Sequence, residues 1–140
     1  MKFKDNIFYK AYEVKEKSNN FECKRVEEDG FKCKEYFYDF DIGVSMILAR
    51  LLELNLNDNR DYVKIEVDFK GDDDLDYKTR NKAYSPNEAF ELLKDMEVKD
   101  LKKISFIRDY TTTYYSDSFY LEPDNDEVSC FSSEYNQDDY

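Results

Sequence analysis

The chain has 140 residues, 41% hydrophobic, 17% aromatic and 39% charged, with 21 Lys plus Arg against 33 Asp plus Glu, a formal charge of −12. A chain of this size buries roughly 70% of its unfolded surface, so one domain can fold without a metal or a disulfide. It holds no His, no Trp and only three Gly. That excludes imidazole-activated nucleophiles, imidazole metal ligands and a glycine-rich phosphate cradle.

Met1 to Asn6 carries charge with no apolar run behind it, so no signal peptide is expected. Ile7 to Lys15 is rich in aromatic and β-branched residues and reads as a strand. Phe21–Val26 and Phe31–Tyr38 bracket an Asp29-Gly30 turn, a hairpin signal, and a two-residue loop there sets Val26 opposite Cys33. Asp41 then reads as the N-cap of a helix in which Val44, Ile47, Leu48, Leu51 and Leu52 recur at helical spacing. Met46, Ala49 and Leu54 widen the stripe until most of the circumference is apolar, which predicts a helix central to the core. The same stretch is broken by Arg50 and Glu53 and is too short to span a bilayer. The run from Asn55 to Asn59 ends it.

Tyr62 to Phe69 alternates cleanly, with Val63, Ile65, Val67 and Phe69 on one side. Gly71 opens a polar loop, and Ser85, Pro86 and Glu88 spell a capping box for a second helix whose apolar face is Ala89, Phe90, Leu92, Leu93 and Met96. Ile104–Tyr110, Tyr114–Leu121 and Val128–Tyr135 complete a meander of strands. The predicted order is β-β-β-α-β-α-β-β-β: a single α+β domain over 1–135 with a mostly antiparallel sheet, and a frayed acidic end over 136–140. On this reading the chain up to Leu121 should fold without the residues after it.

Three motifs invite a chemical reading. Cys23, Cys33 and Cys130 are odd in number and lack a Cys-x-x-Cys pair, so they are expected to be reduced, packed thiols of a cytoplasmic protein. Asp72, Asp74 and Asp76 match the opening ligands of a calcium loop, but Tyr77 stands at the turn glycine and Ala83 at the bidentate Glu. Asp68-Phe69-Lys70 has the Asp-x-Lys ending of restriction-type nuclease cores, with Asp58 or Asp61 as an upstream acid. Three residues recur by chance in a chain this rich in Asp and Lys. No catalytic residue, metal or cofactor is assigned.

Charge is placed unevenly. Residues 1–40 balance nine bases against nine acids, while residues 104–140 hold one base, Arg108, against nine acids and so carry −8 of the −12. Tyrosines are interleaved with those acids, whereas a purely solvating tail has few aromatics. The expected partner-binding residues are Asp109, Tyr114, Tyr115, Asp117, Tyr120, Glu122, Asp124, Asp126, Glu127 and Glu134. Carboxylates two apart on a strand stand about 6.8 Å apart, near the spacing of successive phosphates. A surface of this makeup suits a basic protein groove and repels nucleic acid itself. In class, a small acidic chain without His resembles phage or mobile-element inhibitors of restriction or CRISPR nucleases. The expected function is therefore a non-enzymatic, DNA-mimicking inhibitor of a nucleic-acid-binding enzyme. The alternative is an immunity protein against a basic toxin, with a magnesium nuclease or a structural phage component further behind.

Overall fold

A computed structural model describes residues 2–3, 17–21, 31–56, 63–71, 82–109 and 112–136. Seven strands form one sheet: β1 (Lys17–Phe21), β2 (Phe31–Asp39), β3 (Val63–Phe69), β4 (Lys82–Tyr84), β5 (Leu101–Asp109), β6 (Thr113–Glu122) and β7 (Glu127–Asn136). Their spatial order is β1-β2-β7-β6-β5-β3-β4, and each neighbouring pair is antiparallel. Among the described residues two α-helices, α1 (Phe40–Leu56) and α2 (Pro86–Leu93), join the sheet in an α+β fold.

Strand alternation sorts the side chains. Tyr38, Val128, Leu121, Phe119, Ile104, Val67 and Ile65 share one face through the registers Tyr38↔Val128↔Leu121, Phe119↔Ile104 and Ile104↔Val67. That face joins Val44, Ile47, Leu48, Leu51 and Leu54 of α1 and Ala89 and Leu93 of α2 in a single buried core. The apolar stripe of α1 thus does what its sequence implies, except that Met46 and Leu52 are half-buried and Ala49 is exposed. Leu92 is the exception to the expected apolar face of α2, pointing outward at 38% exposure. The capping box of α2 is formed: the Glu88 N–H donates to Ser85 Oγ at 3.3 Å, and the Ser85 N–H donates to Glu88 Oε1 at 3.4 Å. Near its end the Glu91 carboxylate, 2.8 Å from Lys94 Nζ, holds the Lys94 ammonium above its ordinary pKa. Phe3, absent from the expected core, is fully buried, its N–H donating to the Met96 carbonyl at 3.3 Å.

Several local expectations change. The strand expected over Ile7–Lys15 lies outside the described residues, as do the Asp29-Gly30 turn, the Asp72–Asp76 loop and the end at 137–140. Phe21, not Val26, stands opposite Cys33, because hairpin register follows loop length and the described pairing of β1 with β2 ends at Phe21. The helix starts at Phe40, so Asp41 sits in its first turn, where a carboxylate favours the positive end of the helix dipole, and is not the N-cap. Cys33 is disulfide-bonded where a reduced thiol was expected, while Cys130 is a buried thiol outside any disulfide. Both faces of β5 are buried at its centre: Ile107 and Ser105 point away from the helices, and Ser105 Oγ lies 2.8 Å from Ser118 Oγ across the β5–β6 pair. β7 also lies between β2 and β6, so cutting the chain after Leu121 removes the strand that joins the two halves of the sheet.

The helix lies close against the sheet at Gly43. A Cβ there would lie 2.3 Å from Val128 Cβ, inside any tolerable contact. Gly43→Ala should therefore destabilise the fold by about 1–3 kcal/mol, as overpacking does. Urea denaturation would measure it, and Val128→Ala in the same chain should not restore the loss, since alanine keeps the Cβ that clashes.

Candidate partner-binding surfaces

The ten residues expected to bind a partner do not form one surface. β6 and β7 run the length of the sheet, and the residues divide among three places along them.

The first is the turn between β6 and β7. Glu122 ends β6, Pro123–Asn125 forms a single 3-10 turn, Asp126 adopts a left-handed backbone (φ 51°), and Glu127 begins β7. The turn replaces the expected ladder of Glu122, Asp124 and Asp126, since its residues do not alternate as a strand does. Register supplies a different ladder. Glu122 stands opposite Glu127, and Glu127 opposite Asp39 of β2, so three carboxylates line up across three adjacent strands at about 4.8 Å per strand. Asp124 and Asp126 project from the connecting turn, and all of these except the half-buried Glu127 are exposed. Tyr120 lies one step inward on the same face, 37% exposed, with Lys103 Nζ 5.4 Å from its ring centre. Asp39 was missed because it comes from the charge-balanced first forty residues, and only the β2–β7 register brings it here.

The second place lies at the far end of β6, about 23 Å from the turn at 3.3 Å per residue. Here the core face of the sheet extends beyond the cover of α1 and leaves a groove of about 890 Å³. Its floor carries two rows set by register: Lys34–Ser132–Asp117–Phe106, and Glu134–Tyr115–Arg108–Val63. Arg50, Glu53 and Leu54 of α1 form the wall. Three of the expected residues, Tyr115, Asp117 and Glu134, meet here. Their surroundings are not acidic. Arg50 Nη1 donates to Asp117 Oδ2 at 2.7 Å, and its guanidinium lies 5.2 and 5.4 Å from the ring centres of Phe106 and Phe119. Those rings meet edge to face at 5.8 Å, so the cation rests on a fixed aromatic corner. Lys34, Arg50 and Arg108 match Glu53, Asp117 and Glu134 in number, and the groove is neutral.

The third place is a corner formed by Asp109 and Tyr114, which face each other where β5 meets β6, with Tyr135 opposite Tyr114. These point to the sheet face away from the helices.

The nuclease-like motif is not assembled among the described residues. Asp68 is 7% exposed with Oδ1 buried and unpartnered, Lys70 lies beyond the strand end, and no cluster of three or more acidic, Cys or His residues is placed to hold a metal. Asp58 and Asp61 lie outside the described residues. Among those residues no helix is long and apolar enough to cross a membrane. In comparisons with family models, curated proteins and solved structures, the chain matches none.

The Arg50–Asp117 pair is more than a third exposed on both sides, so its worth is modest despite the short distance. A double-mutant cycle with Arg50→Ala and Asp117→Ala should give a coupling of about 0.5–1 kcal/mol. Phe106→Leu should reduce that coupling by loosening the corner on which the guanidinium rests.

Proposed function

We propose that this chain is a non-enzymatic inhibitor that sets an acidic rim into the nucleic-acid-binding groove of a basic enzyme of the CRISPR or restriction type. One observation carries the reading: Asp39, Glu127 and Glu122 stand side by side on three neighbouring strands. Like charges directly opposite on a sheet are destabilising by roughly 0.2–1 kcal/mol. A fold that keeps such a row, and adds Asp124 and Asp126 in the turn above it, tolerates a cost that a basic partner would reverse. A carboxylate about every 4.8 Å is a spacing a Lys/Arg groove built for phosphates can engage. Tyr120 beside the rim offers a rigid ring that could exclude water from those contacts. The working location for such an inhibitor is the cytoplasm of the cell whose enzyme it blocks.

The charge row makes stability and binding move in opposite directions. Glu122→Gln with Glu127→Gln should raise the urea midpoint slightly while weakening capture of the partner by tenfold or more. Capture from a host lysate should recover a nucleic-acid enzyme, fall as salt rises, and be competed by DNA or guide RNA. Capture indifferent to both salt and nucleic acid defeats the reading.

Neutralisation of a basic toxin uses the same rim, and one observation favours it. Cys33 is disulfide-bonded, and structural disulfides belong to oxidising compartments. Acid quenching of intact cells, alkylation in denaturant and mass spectrometry separate the two. Cys33 protected from alkylation while Cys130 is labelled supports the toxin-neutralising reading; both labelled supports the cytoplasmic inhibitor.

A further inference from the structure

Lys103 stands between two groups that each suit a cation, and it serves only one of them. On β5 it lies directly opposite Tyr120 of β6 on one side and Asp68 of β3 on the other. Alternation puts all three side chains on the sheet face away from the helices, the face that also carries Glu122 and Glu127. The Lys103 ammonium rests over the Tyr120 ring, 5.4 Å from its centre, and makes no ion pair among the described residues. Asp68 is 7% exposed, and its Oδ1 is buried without a hydrogen-bond partner. A buried carboxylate oxygen left unpaired is unfavourable, and the one lysine directly across the strand pair points to a ring instead.

That ring is also the part of the acidic rim best suited to a partner. Tyr120 is 37% exposed, Glu122 follows it by two residues on the same face, about 6.8 Å along the strand, and Glu127 stands opposite Glu122. A flat ring beside two carboxylates matches a guanidinium, which stacks on the one and donates to the others. A guanidinium is more weakly hydrated than an ammonium, so an arginine competes well against a lysine for an aromatic face. We propose that in the complex an arginine side chain of the basic partner takes the Tyr120 ring beside Glu122 and Glu127, and that Lys103 turns across β5 to pair with Asp68. Lys103 is a place-holder for the partner's cation. The inference rests on the rim being the partner-binding surface, and adds which side chain the rim selects and what makes way for it. The exchange conserves charge at the ring, and the buried acid gains the partner it lacks.

The test titrates the full chain with two capped, fluorescently labelled peptides, Arg-Ser-Arg-Ser-Arg and Lys-Ser-Lys-Ser-Lys, read by polarisation at about 0.1 M salt, where exposed charges more than about 10 Å apart are largely screened. The arginine peptide should bind the parent about threefold more tightly than the lysine peptide, the size of one exposed cation–aromatic contact. Lys103→Met should tighten the arginine peptide by about a further threefold. Lys82→Met, which removes the same charge from β4, three strands away from Tyr120, should not. Asp68→Asn should weaken the arginine peptide in the parent and have no effect in the Lys103→Met background, with a circular dichroism spectrum like the parent's showing that each variant is folded. Should Asp68→Asn fail to fold, the comparison of Lys103→Met with Lys82→Met decides alone. Equal binding of the two peptides, Lys103→Met no tighter than Lys82→Met, or an Asp68→Asn effect that persists without Lys103 overturns the proposal. The reading of the rim is decided separately, by whether Glu122→Gln with Glu127→Gln loses capture of the partner.

Discussion

The pairing of β7 with both β2 and β6 is the constraint on which the rest of the molecule depends. The last described strand, β7, occupies an interior position of the sheet, so the fold closes only when residues about a hundred positions apart come into register. Everything of functional interest is written across that closure. The carboxylate row needs Asp39 beside Glu127 and Glu127 beside Glu122, and the floor of the groove needs Lys34 beside Ser132 and Glu134 beside Tyr115. Val128, on the same strand, is the surface on which α1 rests at Gly43. Long-range pairing of this kind incurs its loop-closure entropy before its contacts form, and so links the appearance of both surfaces to completion of the whole domain.

What could be read from the sequence was local. The capping box of α2, the stripe of α1 and the alternation of β3 each depend on residues within a few positions of one another; the first two are found where those residues lie, and the third holds from Val63 to Val67, until a register shift between Asp68 and Phe69 buries Asp68 and leaves Phe69 half-buried. β4 was not legible: Lys-Ala-Tyr has no periodicity over three residues and owes its strand character to the edge of β3. The hairpin register was not legible either, because it is set by the length of the whole connection between Phe21 and Phe31 and not by a dipeptide within it. The candidate site was half legible. Its acids and tyrosines were visible as composition, but their division between a rim and a neutral groove was not, since the cation that pairs with Asp117 comes from α1 and the other cations of the groove from β2 and β5. Net charge by segment describes a chain; net charge by surface describes a fold, and strand order separates the two.

The same logic explains why one small domain presents two different faces to possible partners. α1 is apolar over most of its circumference, yet it is shorter than the face it covers, and it begins right after β2 at the rim end of the sheet. Its burial therefore takes the half of the core face nearest the rim, and among the described residues nothing covers the far ends of β7, β6 and β5. Polar residues at those ends, Ser132, Glu134, Asp117 and Arg108, are what permit the sheet to run on into solvent without an exposed apolar patch. At the rim end, on the sheet face away from the helices, Lys103 lies beside Tyr120, and the acids brought together there outnumber it. An uneven cover over a continuous sheet thus yields a charged edge at one end and a balanced cleft at the other, with the strands between them as a rigid spacer.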